Sequence, residues 1–233
     1  MATFVLIPGA GGDPWEWHRL APELERLGHD VVAVRLPSGD EAAGWTEYAD
    51  AVDEAIGDRG DLVLLAQSLA GFSAPLVAAR RPVDLLVLLN AMIPRPGETG
   101  NDWWANTRRK EAEQAYYAQV GLPPETAGDD LAVYFHDVPA DVVADAATHE
   151  PEQSGTPMGQ PWPLAAWPDV PTRVLAGRDD RLFPVGFQRR VAQERLGIEA
   201  DEIDGGHMVA LSRPRELAER LETFRADAAD RRA

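Results

Sequence analysis

Leu62-Val63-Leu64-Leu65-Ala66-Gln67-Ser68-Leu69-Ala70-Gly71 reads as a buried strand that runs into a serine and then into a helix. A short apolar run rich in Val and Leu fits a strand covered on both faces. A serine on a sharp strand-to-helix turn is lifted above the end of a sheet, and such a turn tolerates only small residues two positions to either side. Here those residues are Ala66 and Ala70, where glycine is the usual choice. The layout is that of a nucleophile elbow. The competing reading makes Ser68 the N-cap of the apolar stretch 69–79, a place serine also favours.

Two later segments bear on the choice. Val174-Leu175-Ala176-Gly177-Arg178-Asp179-Asp180-Arg181-Leu182-Phe183-Pro184 is a strand that ends in glycine and acids, and Ile203-Asp204-Gly205-Gly206-His207-Met208-Val209 is a short strand ending in a flexible turn with a histidine. The chain order is therefore Ser, Asp, His. Serine hydrolases of other folds present these groups in different orders.

With these residues the chain resembles the α/β-hydrolases, and within them the small esterase branch that includes plant methylesterases and hydroxynitrile lyases. The most specific element is Gly206-His207-Met208-Val209-Ala210-Leu211-Ser212-Arg213-Pro214, similar to the His-Met-x-x-Leu-Ser-x-Pro run of that branch's esterases. The resemblance implies Ser68 as nucleophile, His207 as base and an acid three residues after a glycine and four before a proline. Gly177 and Pro184 then select Asp180, and Asp179 is left as a solvated turn residue. It also implies an oxyanion hole from backbone N–H groups. In the family a His-Gly-x loop follows the first strand, which matches Pro8-Gly9-Ala10 here and makes Ala10 one donor, with Leu69 after the nucleophile as the other. Pro8 replaces the family's histidine. The lyases of the branch tend to carry lysine after the catalytic histidine and threonine in the loop; this chain has Met208 and Gly9, which favours an esterase.

A strand followed by Gly9-Ala10-Gly11 also opens dinucleotide sites, and Arg35 could meet a 2′-phosphate there. Pro14 stands in place of the third glycine, and Trp15, Trp17 and His18 crowd the place where a pyrophosphate approaches the backbone. No cofactor is expected. The five histidines are scattered without the four-residue helical spacing of a zinc pair, so no metal is expected either.

Strands near 3–7, 31–36, 62–65, 85–89, 173–176 and 199–203 alternate with helices near 15–27, 45–56, 69–79, 186–196 and 215–226. This is the pattern of an α/β fold with a mostly parallel sheet flanked by helices, in one domain spanning 1–233. Sites in such sheets gather at the carboxyl ends of the strands, where Ala10, Ser68, Asp180 and His207 all fall. The stretch 92–167, with four tryptophans and helical segments near 103–119 and 140–148, breaks the alternation. It is expected to be a helical cap inserted before the last two strands, with little core of its own, and the resemblance places a cap there. Selectivity then lies in the cap and beside the loop, with His18, Trp103, Trp104, Tyr134, Phe135, Met158 and Met208 as candidate substrate contacts. His136 beside Asp137 mimics a catalytic pair but reads as a surface loop. The tail after Ala226 is expected to fray.

The net charge of −17 argues against nucleic acid or an anionic membrane as partner and says little about the substrate, which the resemblance implies is a small-molecule ester. The absence of cysteine excludes disulfides and thiolate chemistry. No basic, apolar leader or membrane-length apolar run is read, so the expected compartment is the cytoplasm. Beside the esterase stand three alternatives: a hydroxynitrile lyase-type enzyme, a biosynthetic hydrolase or cyclase acting on a lactone or thioester, and a non-catalytic ligand receptor.

Overall fold

A computed structural model of the chain describes residues 1–149 and 152–231. Six parallel strands form one sheet: β1 (Thr3–Ile7), β2 (Asp30–Ala33), β3 (Leu62–Gln67), β4 (Leu85–Leu89), β5 (Thr172–Gly177) and β6 (Asp201–Ile203), in the spatial order β2-β1-β3-β4-β5-β6. The register aligns Thr3 with both Asp30 and Leu62, Leu64 with Leu86, Leu88 with Val174 and Leu175 with Asp201.

The side-chain period of two divides these strands between two cores. Val5, Ile7, Leu64, Leu86 and Leu88 face one side and pack on Trp45, Tyr48, Val52, Phe72, Val77, Phe187 and Val191. Phe4, Leu6, Val63, Leu65, Val87 and Leu89 face the other and meet Leu20, Leu24, Leu217, Leu221 and Phe224. Each such side chain, fully buried, contributes roughly 1.5–3 kcal/mol. Burial on both faces explains why β1, β3 and β4 read as unbroken apolar runs.

Several helices differ from the sequence expectation. The one expected over 15–27 is a 3-10 turn, Pro14–Trp17, and a separate helix, Ala21–Arg26; Asp13 caps the turn by accepting from Trp15 N at 2.9 Å. The one expected over 69–79 begins as a 3-10 turn, Ser68–Gly71, and becomes helical only at Ala74–Ala78, because Pro75 lacks an N–H and fits only the first turn. The helix Trp45–Ile56 matches its expected bounds. The C-terminal helix, Pro214–Asp230, outruns its expected end and buries Ala228 at 1% exposure, so the segment expected to fray is held through Asp230; Arg232 and Ala233 lie outside the described residues.

Between β4 and β5 the chain leaves the sheet for an insert of short helices: Gly100–Asn106, Arg109–Val120, Asp130–Tyr134, Ala140–Ala146 and Thr156–Gly159. The expected helix 103–119 is broken where Arg108 takes a left-handed φ of 54°. Trp162 fastens the insert to the body, its Nε1 donating to Phe72 O at 2.9 Å, and two more tryptophans tie the insert to its own first residues, Trp103 Nε1 donating to Ile93 O at 3.1 Å and Trp167 Nε1 to Pro94 O at 2.9 Å. A small apolar cluster of Val138, Val142 and Leu211 joins it to the histidine segment. Among the described residues no helix is long and apolar enough to cross a membrane.

Candidate active site

Ser68 follows β3 with φ 53°, a left-handed conformation for a residue with a Cβ. Such a position costs of order 1–3 kcal/mol and persists only where its surroundings enforce it. The enforcement is visible: Met92 N donates to Ser68 O at 2.9 Å, and a Cβ on Gly71 would lie 1.8 Å from Met92 O. Gln67, not Ser68, occupies the N-cap position of the turn, so the N-cap reading of Ser68 does not describe this structure. The flanking Ala66 and Ala70 are buried.

Gly9 packs directly beneath the elbow. A Cβ there would stand 2.3 Å from Gln67 Oε1 and 3.0 Å from Ser68 Cβ, so the first loop approaches the serine only because position 9 has no side chain. The next residue, Ala10, and Leu69 both line the cavity above Ser68.

Asp180 and His207 come together from the ends of β5 and β6. His207 Nδ1 lies 2.8 Å from Asp180 Oδ2, and the two residues are 1% and 0% exposed. The Asp180 carboxylate also accepts from Leu182 N and Phe183 N, both at 2.9 Å, and from Gln188 Nε2 at 3.3 Å. Asp179 is exposed and its carbonyl oxygen meets His136 Nε2 at 3.0 Å, which separates the adjacent acids by environment. The His207 ring is flanked edge-on by Tyr134 and Phe183, with centroids 5.5 and 5.4 Å away. Ser68 and His207 share the cavity wall; among the described residues no hydrogen bond joins the hydroxyl to the ring.

Two residues hold the histidine segment, one that sequence reasoning passed over, Asn90, and one that it read as part of a surface loop, Asp137. Asn90, at φ 46° after β4, donates to Gly206 O and His207 O, both at 3.1 Å, and accepts from Gly177 N at 2.7 Å and Gln188 Nε2 at 3.1 Å. Asp137, in the insert, accepts from Gly206 N at 2.9 Å. The His136–Asp137 pair thus braces the loop that carries His207 and the backbone at Asp179.

The cavity has a volume of about 480 Å³. Trp104, Tyr134, Phe135, Met158 and Met208 line it, as do Gln67, Met92, Asp130, Gln153, Leu182 and Phe183. His18 does not: its ring turns back to Trp15 O at 2.8 Å and lies tilted against the Trp15 ring. Nor does Trp103, which is fully buried against Phe183 and Phe187 as core. Its neighbour Trp104 takes the lining position.

A further lining residue, Glu16, was unmarked in the sequence. Burial pushes its carboxyl up to about 8, with the nearby Asp13 charge adding to the rise and a backbone hydrogen bond with Gly9 opposing it. Burial likewise raises Tyr134. Among the described residues no group of three or more His, Asp or Glu side chains is arranged to hold a metal ion.

A model of the family described as Alpha/beta hydrolase family matches residues 4–220. Norfluorocurarine synthase 1 of Strychnos nux-vomica is 26% identical over 94% of this chain and 93% of its own length. Alpha-hydroxynitrile lyase of Arabidopsis thaliana is 23% identical over 96% and 97%. The solved structure of polyneuridine aldehyde esterase superposes with a TM-score of 0.78 at 21% identity, covering 96% of this chain and 99% of that one.

Proposed function

Since the chain belongs to the alpha/beta hydrolase family, we propose that it is a serine carboxylesterase that cleaves a small-molecule ester through an acyl-enzyme. The observation that carries the reading is the buried 2.8 Å contact between Asp180 and His207 at the edge of a cavity shared with Ser68. Held through Nδ1, the imidazole presents Nε2 as the base. The hydroxyl of Ser68 attacks the ester carbonyl while His207 takes its proton, and Asp180 fixes the tautomer and stabilises the imidazolium. The N–H groups of Ala10 and Leu69 receive the oxyanion. His207 returns the proton to the leaving alcohol, then draws one from the water that releases the acid. The insert acts as the cap over this chemistry and sets which substrates fit.

A relative named as a lyase makes carbon–carbon cleavage the reading to weigh. The threonine that the resemblance attaches to lyases has no room at position 9, where even a Cβ would overlap Gln67. That observation favours ester hydrolysis.

The test is hydrolysis of a p-nitrophenyl acyl series by the wild type and Ser68→Ala, with intact-mass detection of an acyl adduct. The expected result is a loss of about 10⁴-fold or more in Ser68→Ala and an adduct mapped to Ser68. Undiminished turnover in a folded Ser68→Ala protein overturns the assignment.

A further inference from the structure

The ionised or ionisable carboxyls at the wall of the Ser68 cavity are Glu16 and Asp130, and no lysine or arginine is among its lining residues. An anionic substrate would meet like charge and no counter-ion there. The two acids differ. Asp130 is exposed at the start of the helix Asp130–Tyr134. Glu16 stands on the turn Pro14–Trp17 directly after the first loop, with Trp17 buried beside it.

One oxygen of that carboxyl, Oε2, is closed off from solvent and has no hydrogen-bond partner among the described residues. A carboxyl oxygen that has lost its hydration without an internal replacement is costly. Glu16 itself lines the cavity, so a positive group at that wall is the counter-charge its under-satisfied carboxyl lacks.

We propose that the cavity accepts esters that carry a basic nitrogen, and that Glu16 binds this nitrogen as a carboxylate facing an ammonium. The ester half of the statement rests on the hydrolase reading above; the cation half does not require turnover. An ammonium at the cavity wall supplies that charge, the aromatic residues Tyr134 and Phe135 line the same cavity, and a chain of net charge −17 concentrates cations around itself.

The proton balance gives the proposal a signature. With its carboxyl raised to about 8, Glu16 is mostly protonated in the empty cavity at neutral pH, so the pair forms by release of that proton to solvent. Affinity for an ammonium then climbs about tenfold per pH unit below the carboxyl's pKa and levels above it. The charged group acting on Glu16 is Asp13 on its own turn, itself paired with Arg35 and His149, while His207, Tyr134 and Asp130 line the same cavity. Glu16→Gln keeps all of these and removes only the one charge, so the difference between the two pH profiles belongs to Glu16.

Two measurements test it. In the first, kcat/KM is compared between esters of equal shape and different charge: dimethylaminoethyl against isoamyl esters of one acid, and methyl dimethylaminobutanoate against its carbon isostere. The expected ratio in favour of the amine is about tenfold in one of the two pairs in the wild type and near one in Glu16→Gln. A ratio that persists in Glu16→Gln, or collapses in Asp130→Asn instead, overturns the assignment; so does a wild-type preference for the neutral ester in both pairs.

In the second, dimethylbenzylamine is titrated calorimetrically into the folded wild type and Ser68→Ala in buffers of different ionisation enthalpy. Release of nearly one proton near neutral pH, with the stated pH slope, supports the cation site even if no ester is turned over, which would count against the hydrolase reading alone. Binding without proton release, or no binding in an enzyme that hydrolyses neutral esters, sinks the cation site and leaves the hydrolase reading standing. Both outcomes are available from the unmutated site, so a Glu16→Gln protein that fails to fold does not remove the test.

Discussion

At the scale of single residues, the site concentrates conformations that the chain would not choose elsewhere. Ser68 and Asn90 both hold positive φ without being glycine, at the ends of neighbouring central strands. For Ser68 this strain and the proposed chemistry are the same feature. Ser68→Gly is therefore expected to gain about 1 kcal/mol of stability in urea unfolding while losing turnover; a less stable variant would mean that the turn stores no strain. Asn90→Ala is expected to cost about 2–4 kcal/mol, since it strands the buried carbonyls of Gly206 and His207 and the N–H of Gly177. It should lower kcat by about tenfold to a hundredfold with little change in KM, because the histidine is displaced and the cavity wall is not. Equal losses in kcat and stability-corrected KM would assign Asn90 a purely structural part. Ser68, Asp180 and His207 were legible in the sequence because each sits in a local pattern of strand, small residues and turn. Asn90 and Glu16 were not, since the contacts of Asn90 cross the sheet top and Glu16 is buried by the tertiary fold, neither of which a local pattern records. His18 was misjudged for the opposite reason: it is near the loop in sequence, but the 3-10 turn points its ring back to Trp15.

Among the elements, β1 and β4, buried on both faces, read true to their ends and β3 runs two residues beyond its expected end to Gln67, whereas pieces at the edge or broken by special residues departed further. The second strand was expected to continue to Leu36 and stops at Ala33, because the chain beyond it serves the first loop instead: Leu36 N donates to Gly12 O at 3.0 Å and Ser38 Oγ to Gly11 O at 2.7 Å. The insert's helical content was expected, but its divisions depend on turns such as that at Arg108. Among the ties between the insert and the helix Val185–Leu196 is an ion pair, Glu98 with Arg195, with Arg195 Nη2 3.0 Å from Glu98 Oε1 and both side chains nearly sealed from solvent at 5% and 2% exposure. Burial alone would raise the Glu98 carboxyl, yet hydrogen bonds from Arg195 and Asn106 hold it below its ordinary value of 4.5. A depressed acid contributes stability above its unfolded pKa and loses that contribution as pH falls through the folded one. The wild type should accordingly lose part of its stability as pH drops below about 4.5, and Glu98→Gln should lose less over the same interval. Arg195→Met is expected to cost about 3–5 kcal/mol by stranding the carboxylate, with much of the loss recovered in the double variant with Glu98→Gln. An additive double variant in thermal unfolding would show that the two groups do not act as a pair.

For the molecule as a whole, the parallel order β2-β1-β3-β4-β5-β6 puts the ends of β1, β3, β5 and β6 on one rim, so residues as distant in sequence as Ala10 and His207 meet over one cavity. The insert leaves the sheet at the carboxyl end of β4, and from there its residues Trp104, Tyr134, Phe135 and Met158 reach the cavity on that rim. Around this rim the charge balance of the entire chain acts. With Lys and Arg numbering 22 against 39 Asp and Glu, an approaching ester meets a negative field well before it meets a side chain. That field extends over a screening length of about 30 Å at 0.01 M salt and shrinks to a few Å near 1 M. For a neutral ester, kcat/KM should stay flat across this interval. For a hemisuccinate of the same alcohol, starting lower, it should rise several-fold with salt, because screening removes repulsion during encounter. An ester bearing an ammonium should fall over the same range. The three slopes taken together separate the long-range field from the local acid at Glu16: the field is weakened by salt in every variant, whereas the contribution of a carboxylate in direct contact with its ligand survives at 0.5 M and disappears only with Glu16→Gln. If the hemisuccinate and the neutral ester respond alike to salt, the net charge of this chain has no part in which substrates reach its cavity.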